Sequence, residues 1–186
     1  VQRLVNNDRN VFGSCMLKNG DADGMVTGVT RNYDVALQDA QMVLDPIPGQ
    51  AVIGMSMVIN RGKTVFIADT SVTELPGGPE LADIAVEAAR AVQSVGFVPR
   101  VAFLSYSTFG NPMGERGEKV REAVAILDNM DGIEFEYEGD MAADVALNPN
   151  HWMLYPFSRL SGPANVLVMP AIHAASISTK LLESMS

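Results

Sequence analysis

The chain has 186 residues, 47% hydrophobic and 19% charged, with a formal net charge of −9. That is enough apolar material for one substantial core, and the acidic balance speaks against nucleic acid, which rewards a basic surface through counterion release. No apolar run reaches the ~20 residues of a membrane span, so no membrane partner is expected. The single Cys15 cannot close an intrachain disulfide, which fits a reducing, cytoplasmic setting. The opening VQRLVNNDRN lacks Met and carries no signal-peptide pattern, so it reads as a chain entered mid-structure.

Residues 12–18 read as the end of a helix stopped by Asn19-Gly20. Met25, Val26, Thr27 and Gly28 read as a short buried strand, and residues 35–44 as a helix. The run Asp45-Pro46-Ile47-Pro48-Gly49 stops that helix and is the candidate internal boundary. Thr30, Arg31, Asn32 and Tyr33 lie between strand and helix, where backbone amides and the Arg31 guanidinium would suit an anion. An exposed arginine beside a helix cap explains the same residues equally well.

Residues 52–60 and 64–69 are β-rich runs joined by Arg61-Gly62-Lys63, the pattern of a hairpin, with Asp69 ending the second run. Pro79 opens a helix whose Leu81, Ile84, Ala85, Ala88 and Val92 form one apolar stripe, and Gly96 ends it. The next stretch, RVAFLSYSTFGNPMG at residues 100–114, draws most attention. Val101, Ala102, Phe103 and Leu104 show no alternation, as in a strand buried on both faces. Ser105, Tyr106, Ser107, Thr108, an exposed-looking Phe109 and Gly110 follow, and then a helix over 115–130 carrying Val120, Val124 and Leu127. Open α/β sheets bind ligands outside the carboxyl ends of their strands, in loops of this kind. Hydroxyls that only satisfy the local backbone are the equally weighted alternative.

Over 133–138, Ile133, Phe135 and Tyr137 alternate with glutamates, as in a strand with one solvated face. Asp140 is placed to cap a short helix over 141–147. Residues 148–163 look irregular, 165–169 form another apolar strand, and 174–185 a last helix. From Thr64 onward this is β-α-β-α-β-α-β-α. It predicts an α/β fold with a mostly parallel, doubly wound sheet and helices on both faces.

Several chemistries lack their motif. There is no Walker loop, no GxGxxG after a strand and no GxSxG elbow, and one Cys with two distant His does not make a zinc site. Ser105 or Ser107 as a nucleophile has no identifiable base. Glu115 and Glu118 suit the start of their helix but would repel a phosphate placed there.

The runs GDADGMVTGVTRNY, VFIADTSV, ELADIAVEAA, VAFLSYSTFG, EKVREAVAIL and MAADVALN carry a family resemblance. Over nearly its whole length the chain resembles the phosphate acetyl/butaryl-type acyltransferases. With LSGPANVLVMPAIHAASISTKLL it resembles, more narrowly, the acyltransferase-like C-terminal domain of bacterial NADP-dependent malic enzymes. The resemblance implies a two-lobed domain, here a remnant of lobe one at residues 1–48 and lobe two at 49–186, that self-associates as a dimer or larger and binds CoA esters between lobes. Thr30, Asn32, Tyr33 and the loop from Ser105 to Gly110 match positions lining the family's cleft. With Arg31 and Asp69 they form the expected binding set for a CoA ester or phosphate.

The resemblance further implies that the domain senses acetyl-CoA as an effector and holds no cofactor of its own. NADP and a divalent metal belong by resemblance to a malic enzyme catalytic domain of the same polypeptide. Two departures from active acyltransferases point to a regulatory, non-catalytic role. Gln38 stands where the family carries a substrate-binding arginine, and the segment with the family's catalytic serine–arginine pair and aspartate is absent after the last helix. The alternatives are an active phosphate acetyltransferase, moving acetyl between acetyl phosphate and CoA, and a scaffold that only holds an oligomer together.

Overall fold

Short runs such as Phe66-Ile67-Ala68 and Val166-Leu167-Val168 must be covered on both sides, and this requirement sets the architecture. The computed structural model describes residues 2–185. Val1 and Ser186, the outermost residues of the two expected lobes, lie outside the described residues. The chain forms two compact units, Val1–Gly49 and Gln50–Ser186.

The smaller unit carries helices α1 (Gln2–Asn7), α2 (Arg9–Asn19) and α3 (Tyr33–Gln41). Gly20 caps α2 in the left-handed conformation that Asn19-Gly20 predicts. The expected strand at Met25, Val26, Thr27 and Gly28 does not form, and Val26 is fully exposed at 103%. Among the described residues this unit has no strand to pair with, and an extended tetrapeptide without a partner has no ladder of hydrogen bonds to hold it.

The larger unit holds β1 (Met55–Asn60), β2 (Lys63–Ala68), helix α4 (Gly78–Ser94), β3 (Arg100–Leu104), α5 (Glu115–Asp128), β4 (Glu136–Met141), α6 (Ala143–Leu147), β5 (Val166–Val168) and α7 (Ile172–Met185), with a 3₁₀ turn at Pro149–Leu154. The strands lie in the order β1-β2-β5-β3-β4. All neighbours are parallel except β1 and β2, whose hairpin pairs Asn60 with Lys63 around Arg61 and Gly62. Those two residues have φ of 49° and 77°, the left-handed pair of a type I′ turn.

The expected α/β alternation, with a mostly parallel sheet, is what the structure contains. On one face α4 and α5 pack Leu81, Ala85, Ala88, Val120 and Leu127 against Phe66, Phe103 and Val168. The fully buried alanines of α4 let its backbone approach the sheet closely. On the other face α6, the segment after it and α7 supply Val145, Ala146, Leu160 and Ala175 against Ile67, Ala102 and Leu167.

The fourth strand departs from expectation. It begins at Glu136, so Ile133 and Phe135 pack beside the first core cluster before the strand starts. The glutamate face is covered, and Glu138 is only 5% exposed. The cover comes from residues 158–161. The Ser161 backbone N–H and hydroxyl donate to Glu136 Oε2 at 2.8 and 2.9 Å. The Arg159 backbone N–H donates to Glu138 Oε2 at 2.9 Å, and its Nη1 to Asp128 Oδ1 at 2.5 Å. The guanidinium lies 4.7 Å from the Tyr137 ring centroid. Burial works against the charge of Arg159, but hydrogen bonds to Glu138 and Asp128 outweigh it and hold its pKa above the ordinary value. Asp140 does not cap α6. It lies inside β4, and Ala142 occupies the cap position without a side-chain bond.

Phe103, fully buried in a strand with neighbours on both sides, tests this core. Phe103→Ala is expected to destabilise the protein by about 3–5 kcal/mol, read as a lowered urea midpoint in equilibrium unfolding.

Candidate functional site

The carboxyl ends of the parallel strands gather two buried acids and the hydroxyl-rich loop. Asp69 follows β2 and is 2% exposed. Its carboxylate accepts backbone N–H groups from Gly54 at 2.9 Å, Ser71 at 2.8 Å, Val72 at 3.1 Å and Thr73 at 2.6 Å. The acceptor sites of this expected ligand residue are therefore filled by its own loops. Asp69 organises the turn after β2.

Asp140 does the corresponding work for the loop after β3. It is fully buried and accepts the Ser107 hydroxyl proton at Oδ2 and the Gly110 N–H at Oδ1, the latter at 3.0 Å. Backbone bonds add to this. Ser105 N–H donates to Met141 O at 2.9 Å, and Phe109 N–H to Asp140 O at 2.8 Å. Thr108 Oγ1 accepts the Ala142 N–H at 3.1 Å. The Ser105 and Ser107 hydroxyl oxygens lie 3.0 Å apart. Arg121 of α5 completes the cluster, with Nη1 buried and 3.4 Å from Asp140 Oδ2. Gly117 makes room for it: a Cβ there would come within 2.9 Å of Ser107 Oγ and 3.2 Å of Arg121 Nη1.

The structure thus brings Ser105, Ser107, Thr108, Phe109 and Gly110 together. Phe109 is not exposed as its sequence context implied, because its ring packs against Tyr155 and Phe157 at centroid distances of 5.3 and 4.8 Å. Tyr106 points outward, 63% exposed. Asp140 and Arg121 are the residues that sequence reasoning missed. The available signals were an aspartate closing an alternating strand and an arginine one turn after a helical glycine. The Ser107 hydroxyl donates to the buried Asp140 carboxylate, and the Tyr106 phenol one residue earlier stands exposed. Among the described residues no three His, Cys, Asp or Glu side chains group to hold a metal.

In the smaller unit, Arg31 is committed to its own fold. Nη1 donates to Asp8 Oδ2 at 2.5 Å and to Asp39 Oδ2 at 2.6 Å. Asp8 also caps α2 by accepting the Asn10 and Val11 N–H groups, at 2.8 and 3.2 Å. Asn10 bridges further, donating to Asp39 at 3.0 Å and accepting from Thr27 at 2.5 Å. The Arg31 guanidinium that the sequence offered to an anion is thus already held by two carboxylates of its own unit. These hydrogen bonds hold Arg31 above its ordinary pKa, and the bond from Arg31 is the largest cause of the lowered pKa of Asp8. Thr30 Oγ1 accepts from Arg9 at 2.7 Å, and Asn32 caps α3 without a side-chain bond. Tyr33 is 48% exposed and lines a cavity of about 330 Å³ with Met25 and Leu37. Gln38 is exposed on α3.

The phosphate acetyl/butaryl transferase family matches over residues 1–186. The NADP-dependent malic enzyme of Rhizobium meliloti is 60% identical over 185 residues, covering 100% of this chain and 24% of that protein. The phosphate acetyltransferase of Bacillus subtilis is 30% identical over 178 residues, covering 95% of this chain and 55% of that protein. Among solved structures, the EutD phosphotransacetylase from Staphylococcus aureus superimposes with a TM-score of 0.84 at 29% identity, over 95% of this chain and 55% of that one. The chain thus spans about a quarter of the malic enzyme and just over half of the acetyltransferases.

Asp140→Asn places an amide against donors that need an acceptor and removes the charge facing Arg121. A loss of about 1–3 kcal/mol is expected in urea unfolding. For Asp8, whose folded pKa lies below the ordinary 3.8, the stabilisation is complete above that value and is lost as pH falls through the lower, folded one. Circular dichroism melts between about pH 6 and pH 3 should therefore show a steeper acid loss in the wild type than in Asp8→Asn.

Proposed function

The chain belongs to the phosphate acetyl/butaryl transferase family, and from that premise we propose that it is the acetyl-CoA-sensing, non-transferring domain of a longer NADP-dependent malic enzyme. The observation that carries the malic enzyme placement is the gap in identity, 60% to a malic enzyme over 100% of this chain against 30% to an acetyltransferase over 95% of it.

Physical chemistry supports the same division. Moving an acetyl group between phosphate and a thiol needs a fixed cationic clamp and stabilisation of an oxyanion. Here Gln38 stands where the family resemblance implies one clamp, Arg31 is held by Asp8 and Asp39, and the Ser107 hydroxyl donates to Asp140. Binding a CoA ester asks for less: surfaces for the adenine and pantetheine and a few polar contacts. On the larger unit, exposed Tyr106 with Ser105 is the group we assign to that task. In this reading residues 1–48 belong to lobe one and 49–186 to lobe two, and the domain self-associates. Malate, NADP and the divalent metal are handled by a catalytic domain elsewhere in the polypeptide, in the cytoplasm.

Titration calorimetry of the full-length polypeptide with acetyl-CoA tests the proposal. Saturable binding is expected, accompanied by a change in malate-dependent NADP reduction, and Tyr106→Ala should weaken binding by about five- to tenfold. Formation of acetyl-CoA from acetyl phosphate and CoA would establish a working transferase instead. Absence of binding would leave the scaffold role.

A further inference from the structure

A second hollow opens at the opposite end of the same sheet, where β2, β3 and β5 begin. It encloses about 490 Å³, within the range that takes a small ligand. Its floor is apolar. Val58, Val65 and Leu167 come from adjacent strands β1, β2 and β5, and Leu147 of α6 and Leu182 of α7 close the sides. Its rim is cationic, with Arg61, Lys63 and Arg100, and among the described residues no Asp or Glu lines it.

None of these three cations has an ion-pair partner among the described residues. Arg100 is aimed by its surroundings. Its Nε donates to Pro163 O at 2.8 Å and its backbone N–H to Asn165 Oδ1 at 2.7 Å. Among the described residues, neither terminal guanidinium nitrogen has a hydrogen-bond or ion-pair partner. Because β5 runs between β2 and β3, Lys63 and Arg100 stand two strand spacings apart, about 10 Å across the sheet. In a chain of net charge −9, three unpaired cations around one apolar hollow form a local field of the opposite sign.

We propose that this hollow binds a small amphipathic carboxylate, an unbranched acyl chain of medium length whose head group sits between Lys63 and Arg100 and whose tail lies along Val58, Val65 and Leu167. The charge of the rim selects the head, and the length of the floor selects the tail. Each methylene buried there should strengthen binding about fourfold. The site shares no residue with the acetyl-CoA reading, so either can fail alone.

Decanoate is the probe, titrated into the full-length polypeptide beside 1-decanol, which keeps the tail, and butyrate, which keeps the head. One decanoate per chain is expected, at least tenfold tighter than either comparison. Arg61→Glu combined with Lys63→Glu alters only exposed positions at the hairpin turn. It should weaken decanoate at least tenfold and leave 1-decanol and acetyl-CoA binding unchanged. Methyl NMR signals of Val65 and Leu167 should shift as decanoate saturates. No saturable binding, binding equal to that of 1-decanol, indifference to the double substitution, or unmoved Val65 and Leu167 methyls would each overturn the proposal.

Discussion

Two carboxylates withdrawn from water set the terms for the larger unit. Asp69 is 2% exposed and Asp140 fully buried, and a buried charge persists only where donors replace its lost hydration. Each therefore fixes the loops around it. Asp69 gathers four backbone N–H groups from the turns flanking the hairpin, while Asp140 gathers the Ser107 hydroxyl, the Gly110 N–H and the Arg121 guanidinium. The parallel sheet provides the rigid floor from which these acids project. In return, the acids decide what stands at its carboxyl edge. The hydroxyls after β3 have a shape because Asp140 holds them.

That arrangement bears directly on chemistry. A residue whose hydrogen bonds are all made within its own fold is poor equipment for bond-breaking, since using it would leave a buried group unpaired. The smaller unit repeats the theme, with Arg31 held by Asp8 and Asp39. Arg31 and Ser107 are thus both held by carboxylates of their own unit, while the Tyr106 phenol stands exposed. A family fold can keep a recognition surface after its reactive groups have taken structural duty.

Much of this was legible in the sequence where burial leaves a local imprint. The unalternating run Val101 to Leu104, the stripe Leu81, Ile84, Ala85, Ala88 and Val92, and the Arg61-Gly62 turn each announce their element because the cause lies within a few residues. What could not be read depends on distant partners. The glutamates of β4 look solvated until residues 158–161 close over them, and no periodicity signals that return. Arg31 looks free because Asp8 lies 23 positions earlier, and the loop hydroxyls look available because Asp140 lies 33 positions after Ser107. Met25 to Gly28 have strand composition, but nothing in four residues says whether a neighbour exists.

The placement of β5 also governs how the larger unit comes into being. It is the last of the described strands in sequence, yet it lies between β2 and β3, pairing Val166 with both Phe66 and Val101. Until residues 166–168 are available, β2 and β3 face an empty slot about two strand widths across, lined by apolar side chains and unpaired backbone. The loop closures needed to fill it span 65 or more residues, from Val101 to Val166 and beyond, which makes assembly dominated by distant contacts and therefore slow. On the ribosome, a nascent chain halted before Asn165 would present two sticky edges rather than a smaller native domain. Cooperativity in this unit waits for residues 166–168, when a three-residue strand is inserted and the sheet becomes continuous.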